Sequence, residues 1–201
     1  MGTTTGAIEA TPQLWWFVAR ASGIVTWVLV VAAVLWGLWL AGRVSRKLPP
    51  PAWTLDLHRF LGGLSLTFLA VHLVGLVADD YVHFGWSELF VPLASAWRPW
   101  PVAFGIVALY LLVAVEVTSL LMKRLPRRAW HAVHLLSFAV AFLGTVHGLT
   151  AGADAGTAVV RTGVIVAVGL VAAFVVLRLG MPRVRRARRQ TVRSSTAAST
   201  V

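Results

Sequence analysis

The chain has 201 residues, of which 58 % are apolar and only 12 % charged, and its mean hydropathy is +0.79. Roughly a quarter of the residues in a soluble domain are charged, so this composition excludes an ordinary soluble protein and points to a membrane. The formal net charge of +11 does not mark a nucleic-acid binder, because the 18 Lys and Arg residues cluster between long apolar runs instead of spreading over a groove-tracking surface. With no cysteine there is no disulfide, no thiolate metal site and no C-x-x-C-H for covalent haem attachment, so any cofactor needs nitrogen or oxygen ligands.

Five runs are long enough to cross about 30 Å of hydrocarbon at 1.5 Å per residue. They fall near 15–41, 53–78, 101–122, 129–150 and 157–179. The first has no basic leader and far exceeds a secretory core of about 7–15 residues, so it is expected to be a retained helix. The breaks between runs carry helix-start punctuation: Pro49, Pro50 and Pro51, then Pro99 and Pro101, then Pro126, and finally Gly152 with Gly156. The expected fold is all-α, a polytopic transmembrane bundle of about five spans. Its expected divisions are an extracytoplasmic leader at 1–13, a transmembrane domain at 14–180 and a basic, disordered tail at 181–201.

Basic residues orient the bundle. Arg43, Arg46 and Lys47 follow the first span, Lys123, Arg124, Arg127 and Arg128 follow the third, and Arg183, Arg185, Arg186, Arg188, Arg189 and Arg193 occupy the tail. The opposite connections hold Asp79, Asp80, Glu88 and Asp154 against Arg98 and Arg161. The N-terminus is therefore expected outside and the C-terminus inside, with the tail arginines on anionic lipid headgroups. Trp15, Trp16, Trp53, Trp97, Trp100 and Trp130 fall at the expected interfaces, where indoles settle.

Histidines carry the chemistry. The second span holds His58 and His72, and the fourth holds His134 and His147, with His131 one turn earlier. An ionisable group inside a span is a functional candidate, because leaving it unpaired in hydrocarbon costs several kcal/mol. Both spans run outward from a proline, and their histidines lie at matched distances from it: His58 and His134 in an inner layer, His72 and His147 in an outer one. The layers are about 20 Å apart along the helix axis. Two facing pairs at two depths suit two haems, each with imidazole on both axial sides, which pass electrons across the membrane. At 100° per residue His72 returns to within about 40° of the face of His58, whereas His147 lies about 140° from His134. The fourth helix must then twist, bend near Gly144, or present its ligands from two sides of one edge.

At these residues the sequence resembles the ferric reductase-like transmembrane domain family. That family includes the membrane portions of NADPH oxidases and ferric reductases, and the haem-binding subunit serving periplasmic methionine sulfoxide reductase. The matching stretches are Arg20-Ala-Ser-Gly23, Leu57-His58-Arg59 through Ala70-Val71-His72, and Leu125-Pro-Arg-Arg-Ala-Trp130 through His134 to His147-Gly148, within about residues 14–150. The resemblance implies two non-covalent b haems, His58 with His134 holding the inner and His72 with His147 the outer. It further implies the electron-transfer membrane subunit of an oxidoreductase in a bacterial inner membrane. No G-x-G-x-x-G is present and the tail is short, so no FAD or NADPH site is expected in this chain. Electrons are expected from a separate cytoplasmic flavoprotein or quinol and are passed to an extracytoplasmic acceptor protein or ferric chelate.

Other polar residues have two readings. Arg20 and Arg59 suit haem propionates, and Arg59 equally suits headgroups. Glu116 suits a proton relay or a quinol hydroxyl, but is expected to pair with an arginine such as Arg124 or Arg59, and Asp56 to cap the second helix or pair with a loop arginine. His83 reads as a loop residue, and His131 as interfacial or supporting. Gly62, Gly63, Gly75, Gly144 and Gly148 allow helices or a porphyrin to approach closely. The rival class is a non-redox transporter or assembly factor whose histidines line a polar seam; such proteins usually show internal repeats, and five spans do not divide into two halves.

Overall fold

In the computed structural model, residues 12–41, 52–79 and 84–177 are described. Arg43, Arg46, Lys47, Pro49, Pro50, Pro51, Asp80, His83, the leader and the tail arginines lie outside these residues. The elements are α1 (Pro12–Ala41), α2 (Ala52–Ala78), a short α3 (Trp86–Phe90), α4 (Pro99–Leu120), α5 (Arg127–Leu135), α6 (Ser137–Ala151), a 3-10 turn (Ala153–Gly156) and α7 (Ala158–Leu177). Among the described residues there is no strand. Five helical stretches, with α5 and α6 counted as one, are long and apolar enough to cross a membrane. A backbone in lipid must satisfy its own hydrogen bonds, and uninterrupted helices do so.

The surface is apolar and much of the polarity is internal. Leu120 and Val159 are each 82 % exposed, whereas Ser22, Thr26, Thr54 and Ser65 are buried. The buried hydroxyls are satisfied within their own helices: Ser22 donates to the Val18 carbonyl at 2.5 Å, Thr26 to Ser22 at 2.8 Å and Ser65 to Gly62 at 2.7 Å.

Two antiparallel hairpins form the bundle. α2 packs along α1 and α6 along α4, while α1 also meets α6. The first hairpin closes tightly at Gly75, where an added Cβ would stand 2.9 Å from the backbone nitrogen of Ala19. Backbone cannot swing aside, so Gly75→Val is expected to destabilise the bundle by about 1–3 kcal/mol, read as a lower unfolding temperature in detergent. Between the hairpins Val30, Leu112 and Val140 form a buried apolar cluster, flanked by Leu66 and Leu69. Trp27 Nε1 crosses from α1 to donate to Thr145 Oγ1 at 2.8 Å. α7 is exposed at Val159, Ile165, Val168 and Val176.

The observed spans differ from the expected ones by a few residues at their ends. The larger difference is inside the fourth. The helix is continuous through Gly144 but interrupted at Leu136, whose N–H bonds the Val133 carbonyl at 2.9 Å, an i to i−3 step. A 3-10 turn advances about 120° per residue instead of about 100°, so tightening here takes up part of the phase mismatch between His134 and His147. The short α3, which was not expected, tucks Leu89 against Phe84, Val102 and Ile106 at one end of the bundle.

Candidate functional site

All four layered histidines are set by neighbouring helices through a repeated local arrangement. His72 Nδ1 lies 2.7 Å from the Ala19 carbonyl, and one turn later on α1, Gly23 has no side chain where the imidazole lies. His147 Nδ1 lies 2.8 Å from the Pro101 carbonyl, and one turn later on α4, Gly105 makes the same room. A Cβ on Gly23 would come within 3.0 Å of the ring of His72, and one on Gly105 within 2.8 Å of the ring of His147. A carbonyl only accepts, so Nδ1 carries the proton in both residues. That leaves Nε2 as a bare lone pair suited to a metal.

The inner layer repeats the arrangement with variations. Gly37 gives His58 its space, with a Cβ there falling 3.1 Å from Cε1. The Ala33 carbonyl, one turn earlier on α1, faces this imidazole, but Nδ1 remains buried without a hydrogen bond of acceptable geometry. His134 meets Ser119 instead of a glycine, with Oγ 3.4 Å from Nδ1. Gly23 and Gly37 on α1 have the same spacing as His72 and His58 on the antiparallel α2, and Gly105 and Ser119 on α4 repeat it.

The two layers differ in what can be seen between partners. The rings of His58 and His134 have centroids 5.9 Å apart and planes at 74°. Imidazoles binding one ion from opposite sides, with bonds of about 2 Å each, hold their ring centres about 6 Å apart. The outer His72 and His147 make no such ring contact, and each is held by the carbonyl of the helix beside it. α2 packs less closely on α5 and α6 than the helices within each hairpin pack on each other. The imidazole nitrogens are a donor set suited to a transition metal or haem iron.

Around the inner pair, Trp130 stacks on His134 with centroids 5.1 Å apart and planes at 20°, and its buried Nε1 has no hydrogen-bond partner. It is therefore more than an interfacial anchor. His131 packs edge-on against Trp130 and lines a cavity of about 520 Å³ with Met122, Lys123, Leu125, Arg127 and Trp130. This cavity adjoins the inner histidines and is rich in hydrogen-bond donors.

Three expectations meet a different arrangement. Arg20, expected at a propionate, gives its guanidinium to Asp154: Nε reaches Oδ2 at 2.9 Å, Nη2 bonds Oδ1, and Cζ stands 3.9 Å over the ring of Trp16. The fork geometry that suits a propionate is filled by a carboxylate of the chain itself. Arg59 is exposed and its Nη1 lies 3.4 Å from Asp56 Oδ1, so Asp56 has an ion-pair partner within its own helix; the loop arginines Arg43 and Arg46 lie outside the described residues. Glu116 pairs with neither Arg124 nor Arg59. Among the described residues it makes no ion pair or hydrogen bond, and its carboxylate rests against Gly62, where a Cβ would stand 2.8 Å from Cδ. Gly63 and Gly148 have nothing within 4 Å of such a Cβ, and Gly144 only Trp27 at 3.9 Å.

Gly37, Gly105, Ser119 and Leu136 were not picked out from the sequence as parts of this site. The signal was available for the first three, since Gly37 with Gly23, and Gly105 with Ser119, repeat the spacing of His58 and His72. Nothing comparable marks Leu136.

Fold and site define an all-helical protein with five candidate membrane spans, two of which carry two histidines each, with His58 and His134 in ring contact. The chain is 31 % identical over 141 residues, 68 % of its own length, to the haem-binding subunit MsrQ of protein-methionine-sulfoxide reductase from Rhodospirillum rubrum, and is a distant homologue of it. It spans 62 % of that relative's length. Neither a family profile nor a solved structure matches the chain.

Proposed function

We propose that this chain is a di-haem b-type cytochrome of the ferric reductase-like family, an electron-transfer subunit in a bacterial inner membrane with its N-terminus outside. The carrying observation is the arrangement of four histidines as two cross-helix pairs, two of them with Nδ1 held by a carbonyl so that Nε2 faces away. The homologue's haem-binding role supports the cofactor. His58 and His134 would hold the inner haem and His72 and His147 the outer one.

Haem held by these histidines would supply one-electron carriage. The chain's own residues do the rest. Ala19 and Pro101 fix imidazole tautomers through their carbonyls, and the Val30, Leu112 and Val140 cluster keeps the region between layers dry. Lys123, Arg127 and His131 surround the inner cavity, where an anionic or quinol-type donor, or a separate flavoprotein, would approach. By analogy with the homologue's named complex, the acceptor would be an extracytoplasmic oxidoreductase partner; direct reduction of a ferric chelate belongs to the same proposal. Arg20 would reach a propionate only by releasing Asp154.

The test is a dithionite-reduced minus oxidised visible spectrum of the detergent-purified protein with haem counted per chain. The expected result is a b-type spectrum and about two haems per chain. A colourless protein after expression with ample haem would overturn the proposal and leave the histidines as a polar seam.

A further inference from the structure

Glu116 is a carboxylate inside a membrane span for which the electron path has no use. It is half-buried on α4, and among the described residues no cation approaches it within ion-pair distance. The fold nevertheless makes room for it: Gly62 on the opposing helix is buried, and a Cβ there would stand 2.8 Å from Glu116 Cδ. An ionisable group kept in a span against its desolvation cost marks a functional position.

Its neighbours say which function. Gly62 lies one turn beyond His58 on α2, and Ser119, one turn beyond Glu116 on α4, contacts His134 Nδ1. Glu116 therefore occupies the layer of the inner pair, on the side facing the middle of the membrane. From α2, the ionisable groups in this region are His58 and the exposed Arg59, already paired with Asp56. From α5 they are His134 and His131, with Arg127 and Arg128 at its start, and beyond the end of α4 they are Lys123 and Arg124. α1 contributes only Arg20, at the far end on Asp154, and α6 only His147 in the outer layer. Among the described residues no cation pairs with the carboxylate, so its charge responds to whatever charge the inner pair carries.

We infer that Glu116 is the proton acceptor coupled to reduction of the inner haem. When one electron enters at the His58 and His134 pair, one proton from the aqueous inner face binds a Glu116 carboxylate oxygen, and on reoxidation it leaves. No ligand bond changes, and the added negative charge is neutralised locally. In a low-dielectric interior an uncompensated charge is strongly disfavoured, which couples the two events. This rests on the haem reading above.

The test is a spectroelectrochemical titration at several pH values in the His72→Leu background, which retains the inner haem, with His147→Leu as a second background. The parent protein is expected to show a midpoint that rises as pH falls, with a slope approaching 59 mV per pH unit, the one-electron equivalent of a tenfold change in proton activity. Glu116→Gln should flatten that slope, and Glu116→Asp should keep it. A reduced-minus-oxidised infrared spectrum should show a carboxyl band that Glu116→Gln removes. A slope unchanged in Glu116→Gln, or a midpoint displaced equally at every pH, overturns the inference while leaving the haem reading intact. A colourless protein overturns both.

Discussion

Replacing His72 or His134 by leucine is expected to remove about one of two haems per chain, and replacing both should remove all of it. Each substitution deletes one axial nitrogen from a different layer. Leucine is a good helix former and at home in a span, so the bundle should remain folded. The partners left behind make the result specific: without His134, His58 has no second imidazole at 5.9 Å. Without His72, the Ala19 carbonyl loses the ring it orients. Haem per chain, counted on monodisperse protein, checks this. Two haems retained in both variants would show that these pairs are not the ligands, whatever the colour of the wild type. Because each haem would be held by both imidazoles of its pair, the loss should be close to complete for the affected haem, and the spectrum should simplify to one component.

Filling the glycine spaces should have nearly the same consequence without touching a ligand. Gly105→Leu drives side-chain atoms into the ring of His147, where even a Cβ would approach to 2.8 Å, and Gly37→Leu does so against His58 at 3.1 Å. The imidazole is the part that can move, and moving it turns Nε2 away from its partner. The expected result is loss of the outer haem in Gly105→Leu and of the inner haem in Gly37→Leu. Gly163→Leu on α7, with nothing within 4 Å of its position, should retain both. Haem content and the surviving spectral component distinguish the variants. If all three behave alike, the glycines are ordinary packing positions and the repeated carbonyl and glycine arrangement has no bearing on cofactor binding.

Much of this architecture was legible one residue at a time. Long apolar runs punctuated by proline locate the spans because a lipid environment leaves few alternatives to a helix. Histidines at matched depth stand out for the same reason, since a polar ring in hydrocarbon demands a partner. Glycines were harder to read: a glycine on a lipid face and one opposite an imidazole look identical in sequence, and only the antiparallel register of α1 on α2 separates Gly37 from Gly163. The fourth span shows another limit. Its phase mismatch was computable, but its resolution at Leu136 depended on a local change in hydrogen bonding that leucine does not advertise.

Charged residues divide in a similar way. Arg20 invited assignment to a propionate by chemistry alone, and Asp154, distant in sequence, takes its fork because the chain after α6 returns beside α1. Glu116 was expected to find an arginine; the fold instead sets it on Gly62, with Arg59 turned outward to Asp56. The sequence by itself determined the apolar surroundings, the helices and which histidines are candidates, because these follow from hydropathy, length and the chemistry of imidazole. Tertiary structure alone decided which carbonyl orients which ring, where the cations go and which carboxylate stays unpaired, because those depend on how helices distant in sequence are brought side by side.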